Sequence, residues 1–204
     1  MPNYWKQAKK ELAEQDDIMH QLIQQAGETT LSSRGDAFIT LARSIVGQQI
    51  SVKAAESVWQ KVITEVSQIT AQAIYASDID LLRSCGLSQR KVVYLQDLSL
   101  HFMDRAWDKT TWHEMNDEAI IAQLIQVKGI GRWTAEMFLI FHMLRPNILP
   151  LDDIGLQRAI SLHYNANQPI DKDAIRKLAK QWEPWRTVAT WHLWRSLDPL
   201  PVAY

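Results

Sequence analysis

The sequence predicts an all-α fold. Glycine and proline number only seven each among 204 residues, and apolar residues recur at helical spacing along almost the whole chain. Hydrophobic residues make up 47% of the chain, which is enough to bury a full core. We therefore expect helices joined by short connections, packed as a two-lobed bundle with a cleft between the lobes.

Capping residues and interruptions of the apolar pattern define the individual helices. Ser51 and Ser88 are placed to cap the helices that follow them. The helical pattern is interrupted at 127–131 and again at 145–147, where Pro146 breaks it. The predicted helices cover 37–46, 52–66, two short segments after Thr70 and Asp78, 88–98, a segment opened by Asn116 or Asp117 and running to 125, 134–143, 156–162, 171–182 and 184–197.

The chain contains no internal repeat, low-complexity tract or obvious linker. We therefore expect one domain over 1–204. Its lobes are predicted at about 30–110 and at 111–204, the second packed with the N-terminal helices.

Composition and charge exclude several classes of protein. The 22 basic and 23 acidic residues leave a net charge of −1, so a nucleic-acid surface would have to be local. The single cysteine, Cys85, permits no internal disulfide and cannot supply the four thiolates of an iron–sulfur cluster, which favours a reducing cytoplasmic location. The N-terminus lacks an apolar segment, so we expect no signal peptide and no membrane partner. The histidines lack metal-ligand spacing, and no metal site is expected.

The segment from Leu124 to Ala135 is the most specific signal in the sequence. Gly129 and Gly131 permit a tight turn between two helices, with the residue between them anchored in the core. The N–H groups at the start of the second helix, as far as Thr134, are then available to hold a phosphate, and Lys128 and Arg132 add positive charge. A helix corner closed by glycines for packing alone is the alternative.

This segment resembles the helix-hairpin-helix motif of a DNA glycosylase superfamily, in which a Gly/Pro-rich loop and an aspartate follow the hairpin. The match continues through Pro146, Asn147 and Pro150 to Asp152 and Asp153. The resemblance implies an enzyme that binds double-stranded DNA, flips a damaged base into the cleft and cleaves its glycosidic bond.

Trp133 places the chain in one branch of that superfamily. Members that also cut the strand carry a lysine at this position, and tryptophan cannot form a Schiff base. Together with the lone cysteine, this leaves the branch similar to 3-methyladenine DNA glycosylase II, the AlkA-like enzymes, in a short form without the N-terminal β domain. The segments 47–51 and 182–186 also match. The resemblance implies a monofunctional hydrolase of base excision repair that removes alkylated purines such as 3-methyladenine and 7-methylguanine.

Asp153 is the candidate catalytic residue. Breaking an N-glycosidic bond builds positive charge on the sugar, which a carboxylate in a dry site stabilises. Gln157 and Arg158 follow Asp153 at the spacing that resembles the family. Asp152 is the competing candidate, and Asp153 is also placed to cap the next helix.

Aromatic residues are the candidates for the base pocket, because an alkylated purine is cationic and tryptophan attracts cations. Trp133 and Trp194 match pocket residues of the AlkA-like branch, and Tyr94 is a weaker candidate for which core packing is equally expected. Trp182 and Trp185 are assigned to the core. Gln49 lies at the position that resembles the family's wedge, which fills the gap left by the flipped base.

Sequence-independent binding to the DNA backbone needs only a monomer, so we expect a monomer without an obligate protein partner. No cofactor is expected, and the resemblance implies only a structural monovalent cation at the hairpin carbonyls. Three other functions stay open. They are a non-catalytic helix-hairpin-helix DNA-binding module, an oxidised-base or mismatch glycosylase of the same superfamily, and a helical interaction protein with no DNA role.

Overall fold

The computed structural model describes residues 1–33, 35–104, 107 and 109–197. The all-α prediction is confirmed, because these residues form helices and no strand. The α-helices are α1 (Trp5–Gln15), α2 (Asp17–Ala26), α3 (Ala37–Gly47), α4 (Val52–Val66), α5 (Ala71–Ala76), α6 (Ile79–Ser84), α7 (Gln89–Met103), α8 (Asp117–Leu124), α9 (Arg132–Phe141), α10 (Ile154–Tyr164), α11 (Lys172–Leu178) and α12 (Arg186–Leu197). Short 3-10 turns cover Lys109–His113 and Ala179–Trp182. Within the described ranges, no helix is long and apolar enough to span a membrane.

The chain divides into two compact units. We call the described residues 35–138 the hairpin unit, and residues 1–33 with 139–197 the aspartate unit. Residues 111–138 belong with 35–104, so the division does not coincide with the expected lobe boundary near residue 110. One reason is aromatic packing, since Trp112 contacts both Phe102 and Phe138 edge-on, with ring centroids 6.2 and 5.4 Å apart.

The predicted capping residues begin their helices as expected. The hydroxyls of Ser51, Thr70 and Ser88 each accept a hydrogen bond from the backbone N–H three residues later, as do carboxylate or amide oxygens of Asp78 and Asn116. Each bond satisfies an N–H group that the first helical turn leaves without a backbone partner. Local sequence therefore determines where these helices start.

Helix α7 is the centre of the hairpin unit. It packs against α3 and α5, and its Leu95 and Leu98 are fully buried together with Leu41 and Ile45 of α3. Fully burying a leucine or isoleucine side chain contributes about 1.5–3 kcal/mol. This packing gives the connections around α7 a rigid support.

Helix α12 is the centre of the aspartate unit. Its residues from Thr187 to Trp194 are all buried, and it packs against α2 and α10. Trp191 meets the ring of Trp5 edge-on at 5.3 Å, which brings α1 against the same helix. A helix buried on every side shows little amphipathic pattern. Two of the four tryptophans near the C-terminus, Trp191 and Trp194, lie in this buried helix.

A buried carboxylate joins distant parts of the aspartate unit. Asp16 caps α2 through the N–H groups of Ile18 and Met19. Its other oxygen, Oδ2, accepts from the Tyr164 hydroxyl at 2.7 Å and from Trp182 Nε1 at 3.0 Å. Hydrogen bonds to charged groups are the stronger ones, at about 1.5–3 kcal/mol each. Burial and the Asp16 carboxylate both raise the pKa of Tyr164, so its hydroxyl stays a donor.

Replacing Asp16 with asparagine is expected to lower the free energy of unfolding by about 2–4 kcal/mol. The amide oxygen keeps the helix cap, but the NH2 group that replaces Oδ2 is a donor and accepts from neither Tyr164 nor Trp182. Asp17, exposed in the first turn of α2, gives the matched control. Urea unfolding of Asp17→Asn should show a loss of less than about 1 kcal/mol. Equal losses in both variants would contradict the role assigned to Asp16.

His192 makes the stability of the aspartate unit depend on pH. It is fully buried beside Trp5 and Trp191, with ring centroids 6.1 and 5.0 Å away, and burial with a smaller effect of Lys9 lowers its pKa to about 3. In the unfolded chain a histidine pKa is about 6.5. The unfolded state therefore binds more protons between these values, and stability is lost as the pH falls through this window.

We expect the free energy of unfolding to fall on acidification from pH 7 to pH 5, by up to about 1.4 kcal/mol per pH unit from this site. His192→Gln should flatten the dependence, and His20→Gln, on the exposed face of α2, should not. Burial also lowers the pKa of His163, so a smaller slope of the same sign should persist. An unchanged slope in His192→Gln would refute this assignment. Unfolding curves at several pH values measure it.

Candidate functional site

Asp153 is held in a fixed position at the start of α10. It is the N-cap of that helix and is only 5% exposed. Its Oδ1 accepts hydrogen bonds from the Leu156 N–H at 2.7 Å and from Trp194 Nε1 at 2.8 Å. Two N–H donors and the positive end of the helix stabilise a negative charge at this carboxylate.

The loop before Asp153 is anchored to the start of α12. The Thr187 hydroxyl accepts from the Ile148 N–H at 2.9 Å, and Arg186 Nε donates to the Asn147 side chain at 2.8 Å. These bonds fix the Pro-rich segment that the sequence analysis singled out. Asp153 is therefore positioned from both sides, by this loop and by its own helix.

The neighbouring Asp152 lies in a different environment. Its side chain is 52% exposed and forms an ion pair with Lys172 of α11. A carboxylate surrounded by water and neutralised by a lysine stabilises a nearby cation weakly. The geometry favours Asp153 over Asp152 as the functional carboxylate.

Gly155 leaves room for the side chains beside it. A Cβ at this position would lie 3.1 Å from Asp153 Oδ1 and 3.4 Å from Trp194 Cδ1. Such contacts are tighter than ordinary van der Waals separations of about 3.5–4.0 Å. Any larger residue would displace the hydrogen-bonded pair.

Gly155→Ala is expected to leave stability almost unchanged while lowering the activity that depends on Asp153 by about tenfold. Alanine favours the helix by up to about 1 kcal/mol, which offsets the crowding. Thermal unfolding and a single-turnover activity assay measure the two effects. Full activity in a stable Gly155→Ala protein would show that the Asp153 position is not critical.

The turn between α8 and α9 forms a tight hairpin in the hairpin unit. Val127 and Ile130 are buried, and the Ile130 N–H donates to the Val127 carbonyl at 3.1 Å. Gly129 has a φ of +83°, and a Cβ there would lie 2.2 Å from a Tyr94 ring carbon. A Cβ on Gly131 would meet nothing within 4 Å. The fold therefore requires glycine at 129, whereas the space at 131 is open.

Carboxylates neutralise both basic residues of the hairpin. Asp97 of α7 accepts from the Lys128 N–H at 2.8 Å and pairs with Lys128 Nζ at 3.3 Å. Arg132 bonds to Glu118 and, at 3.0 Å, to Glu136. The bond between Arg132 and Glu118 lowers the pKa of the carboxyl group and raises that of the guanidinium. The hairpin thus offers backbone N–H groups and little unpaired charge.

The turn between α3 and α4 contacts the hairpin through Gln48. Gln48 Nε2 donates to the Gly129 carbonyl at 2.8 Å. The next residue, Gln49, is exposed and has a φ of 59°, a conformation that costs about 1–2 kcal/mol for a residue other than glycine. Strained backbone is found at many functional sites. Strain alone does not distinguish Gln49, because positive φ is also found at Ser67, Leu144, Ala166 and Asn167.

A helical hairpin followed by a Pro-rich loop and a capping aspartate is the arrangement that a known family model describes. The model of HhH-GPD superfamily base excision DNA repair proteins matches residues 42–184. The chain belongs to this superfamily. The family predicted from the hairpin and the aspartate pair is therefore confirmed.

Relatives of this HhH-GPD chain carry DNA glycosylase names. The crystal structure of DNA-3-methyladenine glycosidase from Bacillus halodurans has 33% sequence identity and a TM-score of 0.86, covering 94% of this chain and 89% of that chain. The Schizosaccharomyces pombe 3-methyladenine DNA glycosylase, in complex with abasic DNA, has 26% identity and a TM-score of 0.83, covering 97% and 99%. A Bacillus subtilis relative, YfjP, is 37% identical over 127 residues, which are 62% of this chain but 44% of that longer protein.

The structure brings some of the predicted site residues of this HhH-GPD protein together. Asp153 and Trp194 are hydrogen-bonded, and the Trp194 ring stacks on Phe141 at 5.9 Å. Tyr94 packs against Gly129 of the hairpin. Trp133, the second residue of α9, is half-buried, and Thr134 is buried.

Sequence reasoning assigned no role to Gln48 and Asp97, which contact the hairpin, or to Gly155, which adjoins Asp153. Gln48 and Asp97 both bond to hairpin residues far away in the chain. Gln48 lies in the matching segment 47–51, but that match gave no partner for its side chain, and no local pattern marks Asp97. Gly155 had a local signal, since glycine is unfavourable inside a helix. In the described part of the chain, no cluster of three His, Cys, Asp or Glu side chains could hold a metal ion.

Proposed function

We propose that this protein is a monofunctional DNA glycosylase that removes alkylated purines from double-stranded DNA and leaves an abasic site. The observation that carries the proposal is the buried Asp153 carboxylate, which two N–H donors fix in place and which lies within the segment that matches the HhH-GPD superfamily model. The names of the relatives from Bacillus halodurans and Schizosaccharomyces pombe support alkylated purines as the substrate class.

Asp153 acts on the sugar. As the glycosidic bond lengthens, the deoxyribose gains positive charge, and a preorganised carboxylate stabilises that charge without having to reorient. An alkylated purine such as 3-methyladenine is already cationic, so it leaves without a general acid. Water completes the reaction, because Trp133 stands where a lysine nucleophile would be needed for strand cleavage.

The hairpin holds the DNA backbone. The N–H groups at the start of α9 and the open space at Gly131 allow a phosphate to approach closely. The Lys128 side chain is 65% exposed, and it adds positive charge at the phosphate once its ion pair with Asp97 breaks. Arg132 contributes less, because two carboxylates already neutralise it. This mode of binding needs only a monomer, and the net charge of −1 does not oppose it.

The remaining proposed roles concern the base. Trp133 and Trp194 are each proposed to attract a cationic purine by cation–π interaction, and Gln49 is proposed to fill the gap in the duplex. Tyr94 packs beside Gly129 and so supports the hairpin, and its role in the base pocket stays a proposal. The monovalent cation at the hairpin carbonyls stays a proposal, as does a location in the reducing cytoplasm.

A labelled duplex with one alkylated purine tests the reaction type. We expect the enzyme to make the strand sensitive to alkali, with no cut before alkali is added and no covalent complex trapped by borohydride. A cut or a trapped complex without alkali would replace the monofunctional mechanism with a lyase mechanism. Tight binding to the duplex without any alkali-sensitive product would favour a non-catalytic DNA-binding module.

A further inference from the structure

Three hydrogen bonds close a ring of segments inside the hairpin unit. Lys91 Nζ of α7 donates to the Val46 carbonyl near the end of α3 at 2.7 Å. Gln48 Nε2 donates to the hairpin carbonyl of Gly129 at 2.8 Å. The Lys128 N–H of the hairpin donates to Asp97 of α7 at 2.8 Å, which completes the ring.

Gln48 is the only one of these side chains adjacent to Gln49. Consecutive Cα atoms are 3.8 Å apart, so a bond that fixes Gln48 also restricts where Gln49 can lie. The bond spans 81 residues of sequence and replaces no regular helical bond. Its effect is to tie the turn that carries Gln49 to the hairpin.

We propose that Gln48 is a positioning residue that sets the separation between the phosphate-binding hairpin and Gln49, so that both engage the same duplex at once. The proposal rests on the proposed glycosylase function. Gln49 fills the gap left by a flipped base, and unstacking that base costs a few kcal/mol. A wedge on a loosely held turn would also lose conformational entropy on binding. A turn already tied to the hairpin avoids that cost.

Binding to undamaged duplex and binding to duplex with a flipped or missing base should depend differently on the Gln48 bond. Undamaged duplex engages mainly the phosphate contacts of the hairpin, which do not need Gln49. A duplex with a flipped or missing base needs the hairpin and the wedge together. Loss of the Gln48 bond should therefore weaken the second kind of binding and leave the first almost unchanged.

A double-mutant cycle with Gln48→Met and Gln49→Ala tests this coupling. Methionine has the length of glutamine but no N–H donor. We expect Gln48→Met alone to lower both the single-turnover excision rate and the affinity for a duplex with an abasic-site analogue by about five- to tenfold. In the Gln49→Ala background the same change should cost less than about twofold. Affinity for undamaged duplex should change by less than about twofold in all variants.

A second variant, Gln48→Glu, tests whether the loss of excision and affinity comes from the missing hydrogen bond or from a general structural defect. Its carboxylate faces the Gly129 carbonyl with no donor, so the loss should exceed that of Gln48→Met and should also disappear in the Gln49→Ala background. Equal losses in both backgrounds, or equal losses on damaged and undamaged DNA, would overturn the proposal. If the wild-type protein excises bases and both Gln48→Met and Gln48→Glu show the same excision rate and the same affinity for the abasic-analogue duplex, this inference alone is overturned. A wild-type protein that excises no base and does not prefer the abasic-analogue duplex would overturn the glycosylase function as well.

Discussion

Asp153→Asn is expected to lower the rate of base excision by about 10³-fold or more while DNA affinity stays within a few-fold of the wild-type value. Asparagine matches aspartate in size and is an equally good N-cap, and its Oδ1 can still accept from the Leu156 N–H. Only the negative charge beside the sugar is lost. Single-turnover excision and fluorescence anisotropy with the same duplex measure the two quantities.

Asp152→Asn provides the matched control for this result. It removes a charge of the same sign from the adjacent residue, but one that is exposed and paired with Lys172. We expect excision within about threefold of wild type, because exposed ion pairs contribute little. An active Asp153→Asn protein together with an inactive Asp152→Asn protein would transfer the catalytic role to Asp152.

Gly129→Ala is expected to weaken binding to undamaged duplex by at least about tenfold. The added Cβ would lie 2.2 Å from the Tyr94 ring, at a residue with φ +83°. The left-handed conformation alone costs about 1–2 kcal/mol for alanine, and Tyr94 must also move. The hairpin would rearrange, and its N–H groups would no longer converge on a phosphate. Anisotropy and thermal unfolding should both report the change.

Gly131→Ala separates the effect on stability from the effect on DNA binding at the second hairpin glycine. Its Cβ would meet no protein atom within 4 Å, so the free energy of unfolding should stay at the wild-type value or rise slightly. Its DNA affinity should nevertheless fall, because the open space there is proposed to admit the phosphate backbone. Wild-type DNA affinity in Gly129→Ala would remove the hairpin from the binding surface.

Local sequence was sufficient to predict where α3, α4, α7 and α8 begin. The starts of α9, α10 and α12 lie at Arg132, Ile154 and Arg186, whereas the apolar pattern predicted 134, 156 and 184. Ser51, Ser88 and Asn116 cap helices as expected because each acts on an N–H group three residues away. The same short range made the capping role of Asp153 predictable. The hairpin was equally visible, since its turn chemistry depends on adjacent residues.

Long-range contacts could not be read from the sequence. Asp16 resembles an ordinary cap until its partners Tyr164 and Trp182 are seen, 148 and 166 residues away. The ring of Tyr94 packs beside Gly129, a contact that no periodicity in α7 indicates. The bond from Trp194 to Asp153 likewise depends on how α12 packs beside α10.

The central claim is that this protein excises alkylated purines by hydrolysis. Chromatography of the bases released from methylated DNA tests it most directly, with duplex containing 8-oxoguanine as the comparison substrate. We expect methylated purines to be released from the first substrate and no oxidised base from the second. Release of oxidised bases only, or of no base from either duplex despite DNA binding, would contradict the claim.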